Sequence, residues 1–474
     1  MDQNIKLSLY VFIFLLLDSN DDDQEVERLS TDQSLFHDIE NHASLNDGPL
    51  SIEGDPNTDL PKLHDALVKN DEQEFNLLIK DIDKHSLNMF NNRGFNSLHL
   101  SAKGGNLKCF CQILKSVDIN SKAVDGRNCL HIAAYNGSYS ICKFIFQNHK
   151  QLFSERDVRY NMNPAHWAAL GGQESILELI MKFDYKIISE KTPKYEENIV
   201  LFACMGQSVA VCEFVKNCKE NEISELLHAL NSEGWNAIQY AAKSGSFEVF
   251  EFLVANKVDI RNKSKQTHKN CLHTACERGH KDICQYILKL APDLIETTDK
   301  YEQHVGHFAV KSGDTEILHL LLQKTKEMKH QNKFLAKGTT HNINILHIAC
   351  RHARYDMCVA IVKQFPDLIN EITEKGWNAA LFITEKAGAE KERVKILKFL
   401  EKHKLNVFHV SRSGKTILYN ACVNRSKQLV QYLLKYYPDL LNIEKSMDPS
   451  KAAKSEEIEN IFKHHYEEIR KRTL

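Results

Sequence analysis

The sequence predicts an all-α repeat solenoid, made of stacked helix–turn–helix units that β-hairpin loops connect. Two observations predict it: one short pattern returns every 32 to 40 residues, and apolar residues inside each copy follow helical spacing. The 474 residues are 42% hydrophobic and 26% charged, as in a folded protein. This length exceeds one globular core, but a repeat array escapes that limit because each unit buries its apolar face on its neighbours.

The repeated pattern is clearest where Gly94 to His99 reads Gly-Phe-Asn-Ser-Leu-His and Gly126 to His131 reads Gly-Arg-Asn-Cys-Leu-His. The last residue of each copy defines what we call the histidine position. Eleven residues occupy it in chain order: His64, His99, His131, His166, Leu201, Gln239, His273, His307, His347, Leu381 and Tyr419. Four copies thus replace the histidine, although the spacing continues through them.

Each copy opens with a predicted hairpin tip and helix cap. Five residues before the histidine position, glycine stands in copies such as those of Gly94 and Gly126, because a tight tip needs a residue that tolerates positive φ. Three residues before it, asparagine stands in eight copies, as at Asn128. Its side chain can accept hydrogen bonds from the first backbone N–H groups of a helix.

Two antiparallel helices follow in each copy. Small residues such as Ala133 and Ala134 allow the helices to pack closely, and Gly137, six past the histidine position, ends the first helix. The second helix then carries apolar residues at helical spacing, as at Ile141 and Ile145.

A period near 33 residues with a Thr-Pro-Leu-His-x-Ala core is typical of ankyrin repeats. Residues 59–465 resemble that family, over about eleven repeats and a C-terminal cap. The resemblance implies a binding scaffold without catalysis, cofactor or metal. It also implies a structural role for the histidines, one in each repeat and bonded to backbone at the helix–loop junction: His64, His99, His131, His166, His273, His307 and His347. Successive histidines lie one repeat apart, too far to share a metal ion.

The ends of the chain differ in composition from the array. Residues 1–17 contain an eleven-residue apolar run, shorter than the ~20 residues that span a bilayer but similar to the core of a signal peptide. Residues 18–58 are acidic and predict disorder. Residues 1–58 hold 13 Asp/Glu and 2 Lys/Arg, a charge of -11, so the rest must carry +9 to give the net -2. We expect the array at 59–446, and a truncated repeat with a charged capping helix at 447–474.

The thirteen cysteines follow the repeat register. Eight lie three or eleven residues past the histidine position, as Cys276 and Cys284 do, where small buried residues belong. An odd, core-placed set favours a reducing compartment, so we expect a cytoplasmic protein. Secretion is the alternative, if residues 1–17 act as a signal peptide.

The sequence contains no complete phosphate loop, metalloprotease signature or hydrolase signature. The tripeptide from Gly414 to Thr416 resembles the end of a phosphate loop, but His409 stands where its first glycine is required. The sequence therefore predicts no enzyme.

Candidate partner-binding residues come from two register positions that, in ankyrin proteins, border the concave face. The residues after the tip glycine are Phe95, Arg127, Trp235, Trp377 and Lys415; those four to five past the histidine position are Lys103, Tyr135, Lys243, Arg278, Lys311 and Arg351. Aromatic and arginine side chains are enriched in binding hot spots. Two tryptophans are thus expected at exposed tips, the alternative being that they pack on neighbouring hairpins.

A basic, aromatic face suits an acidic peptide, while a charge of +9 spread over 416 residues makes nucleic acid an unlikely partner. The acidic segment 18–58 is itself a candidate ligand, held at high effective concentration by its tether. We expect a protein-binding adaptor. One alternative is a secreted or surface-anchored ankyrin protein. Another is a relative of ankyrin-bearing membrane channels, because the Pro-Asp-Leu motifs at Pro292, Pro366 and Pro438 resemble those of arrays attached to membrane proteins. No transmembrane domain is predicted.

Overall fold

A computed structural model describes residues 59–327, 335, 338–444, 446–452 and 455–473. The predictions for residues 1–17 and 18–58 lie outside these described residues. Eleven consecutive helix pairs make up most of them, so the predicted all-α repeat solenoid is confirmed.

The first helix of each pair carries the histidine position. The first helices are Leu60–Lys69, Ser97–Gly104, Cys129–Asn136, Pro164–Leu170, Ile199–Met205, Ala237–Ser244, Cys271–Arg278, Val305–Ser312, Ile345–Arg351, Ala379–Ile383 and Ile417–Val423. The second helices are Glu72–Leu78, Leu107–Leu114, Tyr139–Asn148, Glu174–Phe183, Val209–Lys216, Phe247–Ala255, Lys281–Leu290, Thr315–Glu327, Tyr355–Gln364, Glu390–Lys402 and Lys427–Tyr436.

Short helices connect or end the repeats. The α-helical ones are Lys84–Asn88, Lys186–Ser189, Asn221–Ser224, Pro449–Ala452 and the longer Glu456–Thr473. The 3-10 helices are Lys150–Phe153, Glu225–His228, Pro292–Glu296, Pro366–Asn370 and Pro438–Leu441. Each Pro-Asp-Leu motif therefore begins a 3-10 turn directly after a second helix, where proline's missing N–H costs nothing.

The loops between repeats are tighter than the predicted β-hairpins. Over the described ranges they contain two isolated antiparallel bridges, Lys122 with Asn128 and Thr298 with His304, and no strand. A tip closes instead by two short bonds: Gly126 N–H donates to the Ala123 carbonyl at 2.8 Å, and Ala123 N–H to the Arg127 carbonyl at 2.8 Å. The few residues on either side leave no room for a ladder.

The chain divides into two compact blocks. The N-terminal block, the described residues up to Ile188 together with 192–195, contains the first four repeats; its first helices pack on one another in chain order. Phe110 and Leu130 are completely buried in its core.

The C-terminal block comprises residues 189–191 and the described residues from Glu196 onwards, and it holds the other seven repeats. Its first helices likewise stack in order, and the terminal helix Glu456–Thr473 packs on the last second helix, Lys427–Tyr436. Phe250 and Phe308 are completely buried between its helices.

Candidate protein-interaction surface

The histidine of a typical repeat makes two backbone hydrogen bonds. In the third repeat, Asn128 N–H donates to Nδ1 of His131 at 3.1 Å, while Nε2 lies 3.1 Å from the Glu155 carbonyl oxygen. The Asn128 side chain in turn accepts from the N–H groups of Leu130 and His131. Because an N–H only donates and a carbonyl only accepts, the imidazole is neutral with its proton on Nε2.

The other repeats repeat or vary this geometry. His99, His273 and His347 bond in the same way, whereas Nε2 of His64 pairs with Ser97 Oγ at 3.0 Å. Gln239 replaces the imidazole with its amide: Oε1 accepts from Asn236 N–H, and Nε2 donates to the Lys269 carbonyl. The histidine position thus serves to cap one helix and tie it to the next loop.

Burial lowers the pKa of these imidazoles strongly, because desolvation disfavours the charged form. The pKa falls to about 3 in His131 and His273, and to about 4 in His99 and His347. These histidines therefore stay neutral at physiological pH and are bound to backbone groups. No group of three or more potential metal ligands occurs in the described part of the chain.

In the N-terminal block, three predicted binding residues come together around a buried tryptophan. The Arg127 guanidinium lies 5.0 Å from the Phe95 ring centroid and 4.8 Å from that of Trp167, and Asp125 fixes it with a 2.7 Å bond from Nε. Tyr135 packs edge-on against Trp167. We call Phe95, Arg127, Tyr135 and Trp167 the aromatic cluster. Lys103, half-buried, occupies the helix position of Tyr135 one repeat earlier.

The predicted exposure of Trp235 and Trp377 is wrong. The two side chains are only 4% and 8% exposed. Trp235 packs edge-on against Tyr240 beneath Lys243, and Trp377 packs against Phe382, with Lys415 from the next repeat 5.8 Å from its ring centroid. Each ring therefore folds back onto its own first helix, where it gains more burial than at a tip.

Lys243 and Arg351, expected on an accessible face, are also buried, at 5% and 4% exposure. Lys243 lies 5.3 Å from the ring centroid of Trp235. Nε of Arg351 is 3.4 Å from a Glu385 carboxylate oxygen, forming an ion pair. Arg278 is half-buried. It lies five residues past the histidine position, whereas Lys243 and Arg351 lie four past it.

The position four past the histidine position carries charged side chains in five consecutive repeats of the C-terminal block. In order they are Lys243, Glu277, Lys311, Arg351 and Glu385. Their charges interact along the row: Lys243, Lys269 and Lys311 together lower the pKa of the Glu277 carboxyl against the effect of its burial. Lys269 also bonds Glu277 at 3.1 Å.

Cations outnumber carboxylates at the C-terminal end of this row. Burial lowers the pKa of Lys311 to about 8, and the nearby Lys269 and Arg351 act in the same direction. His352 lies within the field of four cations, Lys386, Arg351, Lys311 and Arg354, which add to desolvation in lowering its pKa to about 4.

We call Lys311, Arg351, His352, Arg354 and Lys386 the cation surface. His352 and Arg354 are exposed and Lys386 is half-buried. Sequence reasoning missed these three residues. His352 and Lys386 stand five past the histidine position, the register that had already selected Arg278, so the signal was present. Arg354 lies in the turn between helices, where the repeat pattern places no binding residue.

The repeat geometry agrees with the comparison to known families. A family model described as ankyrin repeats (3 copies) matches residues 63–157, 117–189, 165–264, 202–298 and 258–332, together more than half of the chain. This chain belongs to the ankyrin-repeat family. Ankyrin repeats generally mediate protein–protein interaction, and they are typically not enzymes.

Two individual proteins resemble this ankyrin-repeat chain in part. The human transient receptor potential cation channel subfamily A member 1 is 30% identical over 105 residues, which are 22% of this chain. The chain matches only 9% of that channel's length. A chain in the complex of the predatory endopeptidase Bd0816 from Bdellovibrio bacteriovorus with the immunity protein Bd3460 is similar at 19% identity. That similarity has a TM-score of 0.36 and covers 43% of this chain and 99% of the other. None of the helices in the described ankyrin-repeat residues is long and apolar enough to cross a membrane.

Proposed function

We propose that the protein is an ankyrin-repeat adaptor that binds an acidic segment of a protein partner on its C-terminal block. The observation that carries the proposal is the cation surface. Arg351 pairs with Glu385 and Glu277 attracts Lys311, whereas Arg354 and Lys386 have no carboxylate within ion-pair distance in the described part of the chain. Accumulated like charge raises the local concentration of an oppositely charged ligand and speeds its association.

A peptide suits this surface better than nucleic acid does. Carboxylates lie among the cations, because Glu277 and Glu385 belong to the same row. Such interspersed acids repel a continuous phosphate backbone but leave room for separate acidic side chains. Neighbouring first helices pack about 8–10 Å apart, and an extended peptide rises about 3.3 Å per residue. An acidic residue at every third position of the ligand would therefore face successive repeats.

The acidic segment 18–58 supplies such a ligand within the same chain. It carries 12 Asp/Glu and 1 Arg, a charge of -11. Bound to the cation surface, it would compete with an external acidic partner, and the tether would favour it through effective concentration. The segment would then act as an intramolecular inhibitor of partner binding.

The test uses a fluorescent synthetic peptide of residues 18–58 as probe. Fluorescence anisotropy compares its affinity for the full chain and for residues 59–474, at low and at physiological salt. We expect binding to residues 59–474, weaker binding to the full chain, and a steep loss of affinity with salt because the contacts are ionic. Lys311→Gln should weaken binding, and its cost in folding should be small because burial already lowers the Lys311 pKa to about 8.

The matched control is Lys143→Gln, which removes an exposed lysine from a second helix of the N-terminal block. It should leave the affinity unchanged. Equal binding of the probe to both forms of the chain would rule out the intramolecular contact. Absence of binding to residues 59–474 would rule out the acidic-segment adaptor.

We further propose a reducing, cytoplasmic location, which the core placement of the thiols supports: eleven of the thirteen cysteines are buried, and all are free. The partial similarity to a human cation channel favours, as a second candidate, a role resembling that of a channel's ankyrin array. Determining the N-terminal residue and the cell fraction of a C-terminally tagged chain tests the location. A new N-terminus near residue 18 with protein in the medium would establish secretion instead.

A further inference from the structure

The cation surface has features of a built anion site that the adaptor proposal does not use. Arg354 and Lys386 have no carboxylate within ion-pair distance among the described residues. Arg354 nevertheless packs over Gly313, two residues from Lys311, and the loop of Lys386 is tied to the Arg351 carbonyl through Arg393. Holding like charges together without counter-ions raises the free energy of the folded state. A bound anion would relieve that repulsion.

Packing, rather than an ion pair, positions the Arg354 guanidinium. Its Cζ lies 2.7 Å from the point that a Cβ would occupy at Gly313, so the guanidinium covers a residue with no side chain. Gly313 ends the first helix of the eighth repeat with φ of 82°. Arg354 therefore reaches back from the ninth repeat toward Lys311 in the eighth.

The loop that carries Lys386 is anchored at several points. The buried Arg393 guanidinium donates to the carbonyls of Ile383, Gly388 and Arg351. From the other side, the Asn424 amide donates to the Thr384 carbonyl at 2.7 Å and to the Glu385 carbonyl at 3.2 Å. The bond from Arg393 to the Arg351 carbonyl thus ties this loop of the tenth repeat to the ninth, and the Asn424 bonds tie it to the eleventh.

Three consecutive repeats, joined by the contact of Arg354 with Gly313 and the bond of Arg393 to the Arg351 carbonyl, thus contribute cations to the cation surface. They are Lys311 from the eighth, Arg351 and Arg354 from the ninth, and Lys386 from the tenth. Glu385 pairs with Arg351 and Glu277 attracts Lys311, which leaves the charges of Arg354 and Lys386, a net of +2 with His352 neutral. A single carboxylate neutralises one charge only, whereas a phosphoryl group carries nearly two and offers three acceptor oxygens. Arginine forks bond such oxygens in pairs.

We propose that the cation surface binds a phosphoryl group on a serine or threonine of a peptide partner. This inference rests on the proposed adaptor function and specifies its ligand. Arg354 and Lys386 bond the phosphoryl oxygens directly, and Lys311 and Arg351 provide the field behind them.

The test uses three fluorescent seven-residue peptides of alanine and glycine with a central phosphoserine, glutamate or serine. Fluorescence anisotropy measures their affinity for the full chain at physiological salt. The phosphoserine peptide should bind at least about tenfold more tightly than the glutamate peptide, because it makes additional charged hydrogen bonds. Arg354→Gln with Lys386→Gln should abolish that preference. Lys143→Gln with Lys182→Gln removes two exposed cations from the N-terminal block and should preserve it.

Thermal unfolding by circular dichroism confirms that the double variants are folded. Equal affinity for the phosphoserine and glutamate peptides would overturn the proposal, and so would a preference that survives Arg354→Gln with Lys386→Gln. Sedimentation with phosphatidylserine vesicles, in the absence of phosphopeptide binding, would assign the surface to a membrane instead. Binding of the 18–58 probe is a separate readout: if it persists while the phosphoryl preference fails, the adaptor function stands and this inference falls.

Discussion

In the repeat histidines that bond backbone groups through both ring nitrogens, the proton resides on Nε2. In the seventh repeat, Nδ1 of His273 accepts from Asn270 N–H at 3.2 Å, and Nε2 faces the Thr297 carbonyl at 3.1 Å. A second proton would have to go to Nδ1, where it would face an N–H donor. Burial lowers the folded pKa to about 3, far below the ordinary 6.5, because desolvation disfavours the charged imidazole. A lowered histidine pKa leaves the free energy of unfolding unchanged above pH 6.5 and reduces it as the pH falls from 6.5 toward 3.

His273→Gln should preserve stability at pH 7.5 and increase it, relative to wild type, at pH 5. Gln239 shows that glutamine makes both backbone bonds at the equivalent position. pH 5 lies about 1.5 units below the pKa of the unfolded imidazole. At that pH the neutral His273 of the wild type therefore lowers the free energy of unfolding by about 2 kcal/mol. Urea unfolding at the two pH values measures the difference. His319→Gln, at an exposed histidine, should show no such pH dependence; the prediction fails if both variants respond alike.

The pH dependence of stability that Glu197 causes is opposite to that of the histidines. It is 1% exposed, accepts a 2.5 Å bond from the Tyr240 hydroxyl, and burial raises its pKa to about 7. A raised carboxyl pKa gives stability that is complete below the unfolded value of 4.5 and is lost as the pH rises through 7. Glu197→Gln should therefore stabilise the C-terminal block by about 3 kcal/mol at pH 8 and have little effect at pH 4.5.

Unfolding curves across that pH range test the Glu197 prediction. Glu251→Gln, on the exposed side of a second helix, is the matched control and should be neutral at both ends of the range. If Glu197→Gln destabilised the protein at pH 8, the buried carboxylate would have to be compensated in the folded state.

At the scale of the element, adjacent first helices approach closely at glycines. A methyl group on Gly171 would overlap the Tyr135 carbonyl oxygen of the preceding repeat, although the backbone there has an ordinary φ of −79°. At Gly105 the backbone conformation, and not the space, disfavours a side chain. Its φ is 82°, in the left-handed region, while the nearest neighbour of a methyl group would be Ser138 Oγ at 3.1 Å. Substitution of Gly171 therefore tests the effect of close helix packing, and substitution of Gly105 tests the effect of backbone strain, within the same block.

Gly171→Ala should destabilise the N-terminal block by more than about 3 kcal/mol, because two helices must move apart. Gly105→Ala should cost only about 1–2 kcal/mol, the usual penalty for a left-handed residue with a side chain. Urea unfolding of both variants measures the two costs. The reverse order would mean that strain, not helix proximity, limits this block.

The elements were largely predictable from sequence because the pattern records local requirements. Asn128 and Gly137 mark a helix start and end that depend on their own hydrogen bonds and φ. The fate of Trp235 was not predictable, because a residue at a tip can point outward or fold back on Tyr240, and tertiary contact decides. Arg354 escaped for the same reason: it lies in the turn between the helices of the ninth repeat, and only stacking brings its guanidinium over Gly313 of the eighth.

At the scale of the whole molecule, the reactivity of the cysteine thiols measures how closely the repeats are packed. Eleven of the thirteen cysteines are buried, while Cys111 and Cys218 are half-buried. Some contact each other across a repeat: Sγ of Cys276 lies 3.6 Å from that of Cys284. Burial raises the pKa of Cys129 and Cys422 to about 12, so their reactive thiolates are scarce.

An aromatic disulfide reagent should therefore modify about two thiols of the native chain at pH 8, and all thirteen after denaturation. Absorbance of the released thiolate counts them. In Cys111→Ser with Cys218→Ser the native reaction should disappear. Rapid native modification of more than two thiols would show that the helix pairs open frequently.

The neutral histidines make the unfolding of this array an acid–base reaction. In six repeat histidines the folded pKa is only about 3 or 4: His64, His99, His131, His273, His307 and His347. Between about pH 5 and 6.5 these imidazoles gain a proton when the chain unfolds, so unfolding takes protons from the solution. The folded fraction near pH 5 then depends on proton activity with a steepness set by the number of such histidines. An acidic compartment would consequently unfold the array and release any partner bound to its surface, without a protease or a competing ligand.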